Sequence, residues 1–292
     1  MNKILVLGKN GQVGWELQRS LGLIGNTVFL GRNDLGGDLL KINEMIDRIK
    51  LERPQIIFNA AAYTAVDAAE TDIEIANKVN GEAVAALANV CKEIDSLLIH
   101  YSTDYVFNGL GDKPWKENDA IAPINAYGNS KALGEKAILE SGCKAYIFRT
   151  SWVYGVHGKN FMKTMLRLGR SRDSLGIVAD QIGAPTSAEF IADVSTWLAM
   201  HKPVQNPAVV HLVPNGTTSW YGFAKGIFDQ AKSENLMLKS LKALRTEEYP
   251  LPAKRPLNSR LDNTKLLSLL PAGAIKEWQC YALRVLQEIL SN

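Results

Sequence analysis

The sequence predicts a doubly wound α/β fold, with a smaller unit formed by its C-terminal half. Three observations carry this expectation. Short apolar runs stop at glycine or at a polar cluster, as strands buried on both faces of a parallel sheet do. Stretches with apolar residues three and four apart alternate with those runs, the pattern of βαβ units with right-handed crossovers. A glycine-rich turn, Gly8-Lys9-Asn10-Gly11-Gln12-Val13-Gly14, separates the first run from the first helical stretch.

The elements follow in order. Residues 4–7 form the first strand, bounded by Gly8, and residues 13–23 a helix whose apolar side is Val13, Leu17 and Leu21. Residues 27–30 give a second strand that stops at Gly31, and residues 42–51 a helix ending before Pro54. Residues 55–58 are a third strand, 82–94 an alanine-rich helix, 96–101 a fourth strand, 130–139 a helix and 145–148 a fifth strand. Beyond about residue 150 the alternation loosens. Helices are expected at 161–168, 188–200 and 220–231 and strands at 176–179 and 209–212, with prolines at 203, 207, 250, 252 and 256 marking irregular loops. The expected division is 1–150 for the Rossmann-type unit and 151–292 for a substrate-binding unit, with later segments free to return to the first sheet.

Composition narrows the function classes. The chain has 292 residues, 46% hydrophobic and 22% charged, which excludes disordered, collagen-like and coiled-coil readings. A net charge of +3 leaves no broad basic surface, so neither nucleic acid nor a membrane is an expected partner. No apolar run is long enough for a signal peptide or a span. The three cysteines, Cys91, Cys143 and Cys280, are odd in number and far apart, which suits a reducing cytoplasm. His100, His157, His201 and His211 have no metal-ligand spacing and read as structural.

The glycine turn has the context of a dinucleotide site, between a strand and a helix. Gly8 permits the tight turn, Gly11 lets a pyrophosphate approach the backbone, and Gly14 allows the helix to pack closely on the strand. The helix N-terminus then offers amide protons to phosphate. The second strand ends Phe29-Leu30-Gly31-Arg32. An NAD site usually carries an acid here, an NADP site an arginine. Arg32 therefore predicts NADPH, while Asp34 or Asp38 on the ribose would keep NADH open.

Tyr127-Gly128-Asn129-Ser130-Lys131 places a phenol and an ammonium on one helix face. Bringing a phenol from about 10 to about 7 requires roughly 4 kcal/mol of preference for the phenolate, much of which an adjacent cation in a dry site could supply. Ser102 and Thr103 end the fourth strand, where ligands of doubly wound sheets gather. A hydroxyl there can bond a carbonyl oxygen.

The glycine turn, Asn59-Ala60-Ala61-Ala62, Ser102-Thr103 and the Tyr127–Lys131 pair together resemble the extended short-chain dehydrogenase/reductase superfamily. Longer strings are similar to its dTDP-4-dehydrorhamnose reductase family: Gly11-Gln12-Val13-Gly14, Ala65-Val66-Asp67, Ser102-Thr103-Asp104-Tyr105-Val106-Phe107, Arg149-Thr150-Ser151-Trp152-Val153-Tyr154, Gly183-Ala184-Pro185-Thr186 and Pro256-Leu257-Asn258-Ser259-Arg260-Leu261. The resemblance implies reduction of the C4 ketone of a dTDP-sugar. Tyr127 would give the proton, Lys131 would tune it and grip the nicotinamide ribose, and Thr103 would orient the carbonyl. Gly8, Asn10, Gly11, Gln12, Val13, Arg32, Asp38, Leu39, Ala61, Ala62 and Thr64, with Tyr127 and Lys131, would hold NADPH. Val66, Thr103, Asp104, Tyr105, Tyr127 and Trp152 would hold the sugar nucleotide. Lys254 and Arg255 are candidates for its pyrophosphate, or a solvated loop.

The resemblance also implies a homodimer with Mg²⁺ on acidic side chains, for which Glu16 and Glu189 match and Glu288 is a third candidate. Superfamily dehydratases carry an Asp-Glu pair after the threonine; here Tyr105 follows Asp104, which favours reduction. A nucleotide-sugar epimerase or dehydratase is one alternative. A non-catalytic cofactor-binding regulatory subunit, like that of methionine adenosyltransferase, is another.

Overall fold

The structure is a computed structural model that describes residues 2–231 and 236–291. The first half runs β1 (Asn2–Leu7), α1 (Gln12–Ser20), β2 (Gly25–Leu30), α2 (Ile42–Glu52), β3 (Ile56–Asn59), α3 (Ile73–Asn77), a π turn at Lys78–Glu82, α4 (Ala83–Glu93), β4 (Leu97–Thr103), α5 (Ala126–Ser141) and β5 (Ala145–Thr150). The second half runs β6 (Val153–Tyr154), α6 (Phe161–Gly169), β7 (Ser174–Val178), β8 (Ile182–Gly183), β9 (Thr186–Ser187), α7 (Ala188–His201), β10 (Ala208–His211), β11 (Thr218–Ser219), α8 (Trp220–Gln230), β12 (Ser240–Leu244), β13 (Asn258–Ser259), α9 (Thr264–Leu269) and α10 (Trp278–Ser291).

Six parallel strands form the main sheet in the order β2-β1-β3-β4-β5-β10. Each inner strand is buried on both faces, which is why these segments read as unbroken apolar runs. Alternate residues serve opposite cores. Ile4, Val6, Phe58, Ile99 and Phe148 meet Leu17 of α1 and Phe190, Ile191 and Leu198 of α7. Leu5, Leu7, Ile57, Leu98 and Ile147 meet Met45 and Ile49 of α2 and Val84 and Leu87 of α4. Burying such side chains contributes about 1.5–3 kcal/mol each. α1 can lie this close because Gly14 has no side chain: a Cβ there would fall 2.0 Å from the Gly8 carbonyl oxygen.

Chain order and layer do not coincide. α7 lies beside α1, and β10 pairs with β5 at the sheet edge, so residues 188–211 build the body of the first sheet. Leu212, Leu266 of α9 and Ile275 join the same core, while α6, α8 and α10 pack around a separate core of Met162, Leu166, Phe223, Ile227, Trp278 and Val285. Three small sheets join it: β11-β8-β13, β12-β7 and β6-β9. The helix expected at 82–94 is entered earlier, through α3 and the π turn, and α10 was not foreseen. α5 begins at Ala126, with Asn125 Oδ1 accepting from Gly128 N at 2.7 Å. That cap starts the helix one residue before Tyr127 and so fixes the phenol on its first turn. Among the described residues no helix is long and apolar enough to cross a membrane.

Candidate active site at the carboxyl ends of the strands

The chain leaves β1 for β2 on one side and reaches β3 on the other, and a ligand crevice is expected at such a reversal. An open cleft of ≈ 510 Å³ lies there. Gly8, Asn10 and Gly11 line it after β1, Arg32, Asp38 and Leu39 after β2, and Ala61 and Ala62 after β3. At Gly8 a Cβ would meet Ala61 N at 2.6 Å, so the turn that faces the cleft is backbone alone. No side chain caps the N-terminus of α1, which leaves its first amides for a ligand. The Arg32 side chain is 74% exposed and its Nε lies 3.6 Å from Asp38 Oδ2. A cradle of free amides with an arginine at its far end fits a phosphorylated dinucleotide.

Asp34 is drawn elsewhere, accepting from Gly31 N and pairing with Lys9 Nζ at 2.6 Å. Three other cofactor candidates lie outside this wall. Thr64 is exposed, Val13 packs against the core, and Gln12 turns to Val153 O and Asn160. The loop around Gly155 and His157 thereby closes over the glycine turn, with His157 Nε2 3.1 Å from Asn10 O and its ring stacked on Trp15 at 4.2 Å.

A chain of hydroxyls occupies the end of β4. Thr103 lies close enough to Tyr127 for its hydroxyl to favour the phenolate. Thr103 Oγ1 donates to Asp104 Oδ1 at 3.1 Å and accepts from Tyr105 N at 3.2 Å. Burial pushes the Asp104 carboxyl up to about 7, against hydrogen bonds from Ser259 and Thr103, and its Oδ2 is buried without a partner among the described residues.

In this structure burial outweighs any neighbouring cation at the phenol. Burial holds Tyr127 above its ordinary value, Thr103 opposes this, and Asp104 and Tyr105 add to it. Lys131 is committed elsewhere: Nζ donates to Tyr101 O at 2.6 Å and lies 3.3 Å from His100 Nε2. Burial brings the lysine down to about 8, with Glu135 pulling the other way. Glu135 is itself held by Arg149 at 2.7 Å and accepts from Ser102 Oγ at 2.5 Å. The Arg149 guanidinium also covers the Phe107 ring at 5.0 Å.

Tyr105 meets Tyr127 edge-on at 5.7 Å. Its hydroxyl accepts from Arg255 Nη1 at 3.4 Å, and Arg255 Nη2 pairs with Asp67 Oδ2 at 2.7 Å. Arg255 thus turns toward the site, whereas Lys254 is exposed. Trp152 is buried against Trp220 at 3.8 Å and has a left-handed φ of 50°. Holding a tryptophan there costs of order 1–3 kcal/mol, offset by its packing. Val66 is half-buried on the loop after β3.

The structure brings Glu16 and Glu189 together, but around arginine. Arg19 reaches Glu16 at 3.3 Å and Glu189 at 3.6 Å, and Arg284 reaches Glu189 at 2.7 Å. Among the described residues no three acidic, histidine or cysteine side chains are grouped to hold a metal. Guanidinium groups already meet this carboxylate charge, so the donor set of a single chain does not fit Mg²⁺.

The family described as RmlD substrate binding domain matches residues 1–291. A dTDP-4-dehydrorhamnose reductase of Escherichia coli K12 is 46% identical over 296 residues, covering 99% of this chain and 98% of that protein. The chain belongs to the dTDP-4-dehydrorhamnose reductase family. A family structure from Clostridium acetobutylicum superposes with a TM-score of 0.91 at 35% identity, over 99% of both chains. One from Bacillus anthracis, solved in complex with NADP, gives 0.90 at 33% identity, over 98% of this chain and 99% of the other.

Several residues at the site have roles that no sequence motif assigns. Asn59 and His100 face each other across β3 and β4. Ser259 reaches Asp104 from a segment read only as a motif string. Glu135 had a usable signal, four residues beyond Lys131 on the same helix face. The partners Asp67–Arg255 and Glu135–Arg149 had none, since each joins different elements.

Proposed function

We propose that the protein reduces the C4 ketone of dTDP-4-dehydro-L-rhamnose to dTDP-L-rhamnose at the expense of NADPH. The observation that carries this reading is the buried cluster of Tyr127, Thr103 and Asp104 at the end of β4, beside a cleft shaped for a dinucleotide. NADPH, when bound, supplies the hydride. Tyr127 donates to the keto oxygen, and the Thr103 hydroxyl turns its one proton from Asp104 to the same oxygen. As charge gathers on that oxygen, the Tyr127 proton moves to it, because an alkoxide is a stronger base than a phenolate. A phenol kept neutral by burial is in the form this direction needs. Lys131 holds positive charge beneath the phenol and offers a proton to the ribose.

Arg32 supports NADPH over NADH, and the Bacillus anthracis relative was solved with NADP. Val66, Tyr105 and Trp152 suit the apolar face of a deoxysugar, and Arg255 supplies a cation for the pyrophosphate. In this reading residues 1–150 carry the cofactor site and the catalytic floor, and residues 151–292 add Trp152 and Arg255 to the sugar site. The reading includes a homodimer, which the mass in solution tests. It also includes a cytoplasmic setting, where three free thiols persist.

The test is incubation with NADPH and the keto sugar, following absorbance loss and product stereochemistry. Consumption of NADPH with formation of dTDP-L-rhamnose is expected. Isomerisation without net NADPH oxidation would favour an epimerase, and NADPH binding without turnover a regulatory subunit.

A further inference from the structure

His100 is fully buried in β4, directly beneath the catalytic helix. One ring nitrogen, Nε2, lies 3.3 Å from Lys131 Nζ, and the other, Nδ1, 3.2 Å from the Asn59 side-chain amide nitrogen. A neutral imidazole has one N–H and one lone pair. Two donors therefore cannot both be satisfied by it. Burial and the charge of Lys131 keep the ring neutral. An ammonium has three protons and no lone pair, so whatever faces Lys131 Nζ has to accept.

The conflict is resolved at Asn59. Its Oδ1 is buried with no other partner among the described residues, so a half-turn of the amide breaks no bond to that oxygen. The turn sets Oδ1 against Nδ1, which then carries the ring proton and leaves the Nε2 lone pair for the lysine. We propose that His100, protonated at Nδ1 and fixed there by Asn59, is a positioning residue that holds the Lys131 ammonium through Nε2. With Tyr101 O taking a second proton at 2.6 Å, the third proton of Nζ is left for the ribose. This deepens the reductase reading and rests on it for the role of Lys131. The other groups around the lysine are Glu135 on its own helix, with Arg149 of β5 behind it, and Tyr127 one turn before it.

The direct test is the tautomer of His100 by nitrogen NMR on histidine-labelled protein, read against a His100→Gln spectrum for assignment. The Nδ1–H form is expected, and an Nε2–H form overturns the proposal. Kinetics supply the second measurement. His100→Leu removes the acceptor, which destabilises the ammonium. It should lower kcat/KM by about tenfold or more and move the alkaline limb of the pH profile to lower pH. His100→Gln returns an acceptor oxygen and should restore both. A His100→Leu enzyme with the wild-type profile would refute the assignment. Absence of turnover by the wild type counts against the reductase reading instead, and the tautomer, which needs no activity, still decides His100.

Discussion

The cofactor cleft and the floor of the sugar site are built in opposite ways. The cleft is defined by what is missing: Gly8 and Gly11 keep side chains out, and the α1 amides are left uncapped. The floor is crowded with buried polar groups, including Thr103, Asp104, Lys131, Glu135 and Arg149, each held by a partner from another element. The first kind of site tolerates small changes around its rim. In the second, removing one group strands another in a dry environment.

If this contrast is right, the largest effect belongs to the floor. Tyr127→Phe deletes the proton donor and nothing else of similar size; kcat should fall by about 10²–10⁴-fold with an almost unchanged melting temperature. Near-normal turnover would remove Tyr127 from the chemistry. Next comes the pair beneath it. Glu135 and Arg149 side chains are 1% and 4% exposed, so Glu135→Ala leaves an unmatched buried cation and should cost about 3–5 kcal/mol in denaturant unfolding. Replacing both by Leu and Met should recover much of the loss. A double variant as weak as the single one would show that the charge itself is needed.

Asp104 gives a pH-dependent case. Its folded-state value, about 7, stands above the ordinary 3.8, so the folded protein keeps a proton that the unfolded chain releases. This group makes the protein less stable as pH rises from about 4 to 7, and adds no further slope above 7. Asp104→Asn should therefore gain on the wild type with rising pH, by roughly 1–4 kcal/mol at pH 8. Parallel stability curves from pH 5 to 8 would contradict that. The smallest effect is expected at the cleft rim. Arg32→Ala should raise KM for NADPH by about tenfold and leave NADH nearly untouched, because an exposed cation adds little beyond the phosphate it meets.

The same contrast explains what could be read beforehand. Strands buried on both faces announce themselves as apolar runs, and the glycine turn announces itself by spacing. Tyr127 and Lys131 lie four apart, so one helix face brings them together. Contacts such as His100 with Lys131 or Asp67 with Arg255 depend on strand register and on loops from distant parts of the chain, and no local pattern encodes them. The surroundings of Lys131 are of this kind: spacing places it on the face of Tyr127, while the partners of its ammonium, Tyr101 O and His100, come from β4. Strands of two residues, such as β8 and β13, are too short for any periodicity. α10 did carry a usable signal, since Trp278, Ala282, Val285, Leu286 and Ile289 follow helical spacing.

The return of α7 and β10 to the main sheet has a consequence for how such an enzyme can be taken apart. A fragment ending at residue 150 would lose the cover over Leu17, Phe58 and Ile99 and would expose the β5 edge to other chains. The cofactor half is therefore not a cassette. A chimera that imports a different sugar pocket has to keep residues 188–212 and 266–275 from its host, threading the graft around them.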